Sequence, residues 1–137
     1  MPIVTERGFE AVDAPAAQLL PLAAIEAGGA DAPYAVELPN DADVRSLIPY
    51  LGRTELIAIE FPDFADGRGF SMARRLRALG YEGRLRARGH LIADQFPLAR
   101  NCGFDEVEID DAVAARQPEP QWLAALVMGG QALRARP

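Results

Sequence analysis

Where an apolar run gives way to an amphipathic one, the sequence places Glu60, Asp63, Asp66, Gly67, Arg68, Gly69 and Ser71 in one short polar stretch. Backbone amides at a helix start, a guanidinium and a hydroxyl together suit the oxygens of a sulfate, sulfite or phosphate group. Arg86, on the polar side of a following strand, and Gln95, in a later turn, complete an expected anion- or partner-binding set of Asp66, Arg68, Ser71, Arg86 and Gln95. The structural alternatives are that Gly67 and Gly69 serve only the turn, and that Arg86 only balances Glu60 and Glu108 on a dry sheet face.

Other chemistry is less well supported. Glu60, Asp63 and Asp66 are oxygen ligands of the kind a divalent cation takes, but loop carboxylates are common and no metal is expected. His90 and Asp94, four residues apart, would form an acid–base pair if a helix began at Leu91, and a solvated pair otherwise. Gly67-Arg68-Gly69 with Met72 in the sixth place is an incomplete dinucleotide fingerprint set too far beyond its strand, so NAD or FAD binding is rejected. Cys102, in a last helical turn, reads as packing, because a helix C-terminus disfavours a thiolate. One cysteine leaves no internal disulfide, no four-cysteine zinc site and no iron–sulfur cluster held by this chain alone, and no cofactor is expected.

The chain has 137 residues, 50% of them hydrophobic and 25% charged, which suits one ordinary globular domain. Met1 to Ala14 carries Glu6, Glu10 and Asp13 where a leader would be basic and then apolar. No apolar stretch nears the roughly 18 residues of a membrane span, so a soluble, cytoplasmic protein is expected. All 14 basic residues are Arg, as a GC-rich coding bias produces. The net charge of −6 hides a division: residues 67–104 hold Arg68, Arg74, Arg75, Arg77, Arg84, Arg86, Arg88 and Arg100 against only Glu82 and Asp94. That basic middle has no interleaved aromatics, so nucleic acid is a poor partner, and a small anion or an acidic protein surface fits better. Helix solvation and pairing with acidic strands is the plainer explanation.

These residues need elements to carry them. Glu55 to Phe61 reads as a strand buried on both faces, and Phe70, Ala73, Leu76 and Leu79 share one face of the helix after it. Gly80-Tyr81 and Gly103-Phe104 end two helices alike, with glycine in a left-handed cap. Asn40 or Asp41 is expected to cap a helix through Val44, Leu47, Ile48 and Leu51, short or bent at Pro49. A third helix runs over Leu91 to Cys102 in spite of Pro97, and a last one carries Trp122, Leu123, Leu126 and Val127 before an Arg-bearing tail. Residues 1–33 read as an arm with a modest helix over Ala16 to Ala27, and residues 34–137 as a single α/β domain.

Gly80 to Gly103 and Leu85 to Val107 are nearly the same spacing, so a βα unit recurs. Four parallel strands are expected at about residues 34–38, 55–61, 84–89 and 105–109, in sequential order. That order sets Glu37, Glu60, Arg86 or Arg88, and Glu106 or Glu108 side by side on one charged face. Such a four-stranded parallel sheet resembles half of a (βα)8 barrel, with an open doubly wound sheet as the alternative. Two open edges would favour a symmetric homodimer.

The run from Phe61 to Asp105, with Phe61-Pro62, Phe64, Asp66-Gly67-Arg68-Gly69, Ser71, Ala73, Arg77, Gly80-Tyr81, Gly83, Leu85-Arg86-Ala87, Gly89, Asp94-Gln95 and Cys102-Gly103-Phe104, resembles the core of a bacterial family, Domain of Unknown Function 934. His90 and Asn101 stand where the family pattern has Asp and Arg. The resemblance implies a pathway: family members are typically encoded beside assimilatory sulfite reductase and carry an oxidoreductase label. It implies no mechanism, and nothing in the sequence suits sirohaem, an iron–sulfur cluster or nicotinamide. Two hypotheses follow, an accessory or interaction protein serving sulfite reductase and a small enzyme acting on a sulfur oxyanion.

Overall fold

From Tyr34 onward, strands and helices alternate as the repeat spacing predicts, and each strand docks beside the one before it. The computed structural model describes residues 2–10 and 19–130. Its elements are β1 (Ile3–Thr5), β2 (Gly8–Glu10), β3 (Leu19–Pro21), α1 (Leu22–Glu26), β4 (Tyr34–Leu38), a 3-10 helix (Val44–Arg53), β5 (Thr54–Phe61), α2 (Arg68–Ala78), β6 (Arg84–Gly89), a 3-10 turn (Ala93–Gln95), α3 (Phe96–Cys102), β7 (Glu106–Glu108), α4 (Asp111–Arg116) and α5 (Glu119–Met128). The strands form one seven-stranded sheet in the order β2-β1-β7-β6-β5-β4-β3. β3 to β7 are parallel, and β1 runs antiparallel to both β2 and β7.

The fold is α/β, but two expectations need correcting. The sheet is not a four-stranded parallel half-barrel, because β1 and β2 make it mixed and β3 extends its far side. It is not doubly wound either: Ile25, Leu47, Leu76, Phe96, Val113 and Trp122, one from each described helix or the long 3-10 helix, join a single core on one face. That face is the apolar set Val4, Val36, Leu38, Ile57, Ile59, Leu85, Ala87 and Val107, all buried. The other carries the charged rows, with Glu37, Ala58, Arg86 and Glu106 in one register line and Glu60, Arg88 and Glu108 in the next.

The segment expected as an arm supplies three strands of this sheet. Of the helix expected over Ala16 to Ala27, only α1 forms, and Leu19–Pro21 is a strand. Residues 16–18 and the Arg-bearing tail beyond Gly130 lie outside the described residues. The open edges that favour dimerisation are blunted: Glu119 Oε2 accepts from the outward Phe9 amide of β2 at 2.6 Å, and β3 ends in Pro21, which has no amide to offer.

Local sequence accounts for the helix boundaries. Pro49 lacks an N–H and would clash within an α-helix, so Val44–Arg53 winds as a 3-10 helix, capped not by Asn40 or Asp41 but by Asp43, which accepts from Arg45 N at 3.0 Å. Pro97 sits in the first turn of α3, where its missing donor costs nothing, and the helix starts at Phe96, not Leu91. Gly80 (φ +97°) and Gly103 (φ +114°) are left-handed caps as expected, and Tyr81 N and Phe104 N reach back to Leu76 O and Ala99 O at 3.1 and 3.0 Å. Arg77 crosses between these endings. It donates to Tyr81 O, Gly83 O and Gly103 O at 2.9, 2.8 and 2.8 Å, and to Asp105 Oδ2 at 3.0 Å. Gly69 has a packing reason: an added Cβ would lie 2.4 Å from the ring of fully buried Phe61.

Candidate functional site

Strand β5 delivers the polar stretch to the edge of the sheet where β4, β5 and β6 end, the usual ligand side of a parallel sheet. The turn after it is held by its own acids. Asp63 Oδ1 accepts from Ala65 N at 3.2 Å, and Asp66 N donates to Asp63 O at 3.0 Å. Asp66 then takes Arg68 in a fork, with Nε to Oδ1 at 3.1 Å and Nη2 to Oδ2 at 2.8 Å, and also accepts from Arg68 N at 3.1 Å. Asn40, at the end of β4, adds a bond to Asp66 Oδ2 at 2.7 Å. Asp66 is thus the knot joining two loops, and the Arg68 guanidinium is turned onto it.

The structure splits the expected binding set. Arg68 and exposed Ser71 stay together, lining a cavity of about 410 Å³ with Asn40, Asp41 and Arg75. Gln95 stands apart as a loop clasp, accepting from Ile92 N at 3.1 Å and donating to Phe64 O at 2.6 Å. Arg86 lies on the charged face of the sheet, opposite to the helices, where it is 1% exposed. It bonds Glu106 Oε2 at 2.7 Å and Glu108 Oε1 at 3.2 Å. Arg86 does balance acids, but they are Glu106 and Glu108; Glu60 pairs with Arg88 at 3.4 Å, beside Glu37 at 3.2 Å.

The secondary candidates also separate. His90 and Asp94 are both exposed, and no hydrogen bond or ion pair joins them, because Ala93–Gln95 is a 3-10 turn and their four-residue spacing spans no α-helical turn. Cys102 is buried. Among the described residues no group of three His, Cys, Asp or Glu side chains is placed to hold a metal ion, and no helix is long and apolar enough to cross a membrane.

Hydrogen bonds from the Arg68 side chain, then from its backbone amide, hold the Asp66 carboxyl well below the usual carboxylate range. A carboxylate depressed in this way adds stability above its unfolded pKa, and that contribution disappears as the pH falls through the lower, folded value. In an NMR titration Asp66 should therefore remain ionised below pH values of about 3.9, where a free Asp protonates. In Arg68→Ala its midpoint should move up. An Asp66 midpoint that does not respond to this substitution would show that the fork does not form in solution.

Solvation is the expected role of the arginines on the outer face of α2, and the expected binding set leaves Arg74 and Arg75 out. Of the eight arginines in residues 67–104, Arg68 bonds Asp66, Arg77 the glycine turns, Arg84 Glu106, Arg86 and Arg88 the β7 carboxylates, and Arg100 Glu6 and Asp105 O. Arg74 and Arg75 are exposed and make no such bond with any described residue. The signal was present in their adjacency opposite Phe70, Ala73 and Leu76, but solvated helix arginines look the same in a sequence.

No curated protein matches the chain. A family model described as bacterial protein of unknown function (DUF934) matches residues 35–125, from β4 into α5, and the chain belongs to that family.

Proposed function

We propose that this protein is an accessory component of assimilatory sulfite reduction that docks on an acidic surface of sulfite reductase through the outer face of α2. The observation that carries this reading is the distribution of satisfied charge. The basic middle of the sequence is almost wholly consumed inside the fold, and what it leaves over, Arg74 and Arg75, is gathered on one exposed helix face. Arg75 shares a cavity lining with Asp41 and Asp43, and exposed arginines that form no ion pair on a rigid helix steer and orient an acidic partner. The pathway is the one implied by the family resemblance.

A second reading keeps the same guanidinium but a smaller ligand. The cavity that holds Arg75 and the Ser71 hydroxyl is large enough for a sulfite or sulfate ion, which favours an enzyme or carrier of a sulfur oxyanion. Co-purification from the native host separates the two. The parent chain should retain sulfite reductase, and Arg74→Glu combined with Arg75→Glu should weaken retention by at least about tenfold, since like charges then oppose. Equal retention by both chains, or none by the parent, would overturn the docking role; turnover of sulfite by the isolated protein would move the assignment to the second reading.

A further inference from the structure

We propose that the Arg-bearing tail, residues 131–137, docks in cis on an apolar patch where the end of α5 meets the start of α3, with Leu133 on the patch and Arg134 and Arg136 toward Asp63 and Asp94. The proposal does not rest on the docking role of α2.

Of the large apolar side chains exposed among the described residues, Phe64 (54%), Leu98 (44%), Val127 (55%) and Met128 (88%) belong to three segments that meet around the first turn of α3. Two contacts bring them there. Gln95 Nε2 donates to Phe64 O at 2.6 Å, and Leu98 is three residues beyond Gln95, a neighbouring position on the helix surface. Gly129 closes against Pro97: an added Cβ would lie 2.7 Å from Pro97 Cβ, so the last turn of α5, with Val127 and Met128, abuts that same turn of α3. A single exposed aliphatic side chain would carry nothing, but four around one helix start mark a surface that something covers.

Charge and chain direction select the occupant. Asp63 adjoins Phe64 and Asp94 adjoins Gln95; both are exposed, and neither forms an ion pair. Of the arginines on adjoining segments, Arg68 is bound to Asp66 and Arg100 to Glu6. Exposed Arg116 stands beside Gln117, whose Oε1 accepts from Ala93 N at 2.7 Å, and it is one positive charge against two negative. The chain leaves α5 through Gly130 at φ +81°, a left-handed residue that turns it off the helix axis, and continues as Gln131-Ala132-Leu133-Arg134-Ala135-Arg136-Pro137. Three residues reach about 10 Å, enough to carry Leu133 onto the α3–α5 junction, and seven reach about 25 Å. An aliphatic side chain followed by two guanidinium groups matches an apolar patch rimmed by two unpaired carboxylates. The tether supplies an effective concentration of the order of mM, so contacts that are individually weak suffice. While the tail is docked, the patch is closed to other molecules.

The test uses the full chain with Pro137→Cys carrying a nitroxide; Cys102 is buried and keeps its thiol. Broadening of amide resonances by the nitroxide is measured at Phe64, Asp94 and Leu98. A tethered tail broadens nearby signals without docking, so the parent tail is compared with one carrying Leu133→Asp, Arg134→Glu and Arg136→Glu. The altered tail should broaden these signals at least about threefold less, because the apolar anchor is gone and both charges now oppose the carboxylates. Equal broadening by the two tails overturns the proposal. On the side of the patch, Asp94→Arg should reduce the broadening by the parent tail, and unchanged broadening there equally overturns it. A mixture of nitroxide-bearing chain with isotope-labelled chain that bears none reports any exchange of tails between molecules. No broadening is expected in the mixture; broadening would assign the patch to the tail of a second copy and overturn docking in cis.

Discussion

Replacing Arg77 by Ala should lower the stability of this protein by about 3 kcal/mol, a larger loss than an α2 arginine would normally carry. Its guanidinium binds three backbone carbonyls and one carboxylate, and two of those carbonyls, Tyr81 O and Gly83 O, follow one helix while the third, Gly103 O, closes another. Each hydrogen bond from a charged donor is worth about 1.5–3 kcal/mol, and removing the donor strands carbonyls at turns where no helix or strand partner replaces it. The bonds share one side chain that is 27% exposed, so water recovers part of the loss and the sum stays well below simple addition. For a domain of this size the melting temperature should fall by roughly 10 °C. Arg77→Lys should recover less than half, because one ammonium cannot span Tyr81 O and Gly103 O together. A melt of Arg77→Ala within about 2 °C of the parent would mean that the two turns hold themselves.

Arg86→Ala is expected to cost still more, about 3–5 kcal/mol, the range for breaking a buried ion cluster by removing one member. Glu106 and Glu108 are themselves only 5% exposed, and Arg86 bridges them from the neighbouring strand. Arg84 and Arg88 bind the same two carboxylates from farther out, but neither fills the space between them. Neutralising the acids as well, in Arg86→Met with Glu106→Gln and Glu108→Gln, should restore much of the loss, since a buried ion cluster contributes little net stability over uncharged side chains of similar volume. Chemical denaturation of the parent, Arg86→Ala and the triple variant gives the comparison. If Arg86→Ala unfolds within about 1 kcal/mol of the parent, the charged face is wetter than its burial implies.

Both arginines also show where sequence logic reaches its limit. β4 to β7 were legible because their apolar positions keep a two-residue period or a buried run between glycines, and the row of Glu37, Arg86 and Glu106 follows from that period. β1, β2 and β3 were not: three residues each are too few to show alternation, and Leu19-Leu20 sits in an Ala-rich stretch that favours helix until β4 offers an edge. α4 escaped for a similar reason. It is six residues long, and Asp110, the residue just past the expected strand, is its N-cap, accepting from Val113 N at 2.8 Å. At the site, residue types located the Asp66–Arg68–Ser71 turn, but not that Arg68 would fold back on a neighbour two residues away, nor that Gln95 would serve Phe64 O. Those outcomes depend on which acceptors the loops bring near, and spacing along the chain does not encode that.

The place of β1 in the sheet bears on the order in which the chain folds. β4 to β7 pair in the order in which they are synthesised, each closing a loop of one βα unit. β1 instead lies between β2 and β7, with Ile3 opposite Glu108 and Val4 opposite Val107, a contact across roughly a hundred residues of chain. A hairpin of three-residue strands has no stability alone in water. It therefore stays open through synthesis until β7 has docked on β6, and its closure is the most non-local step of folding. In the finished protein the same hairpin is tied down by Arg100 on Glu6 and by Glu119 on Phe9, and amide hydrogen exchange should find it opening before β5 and β6, which lie at the centre of the sheet.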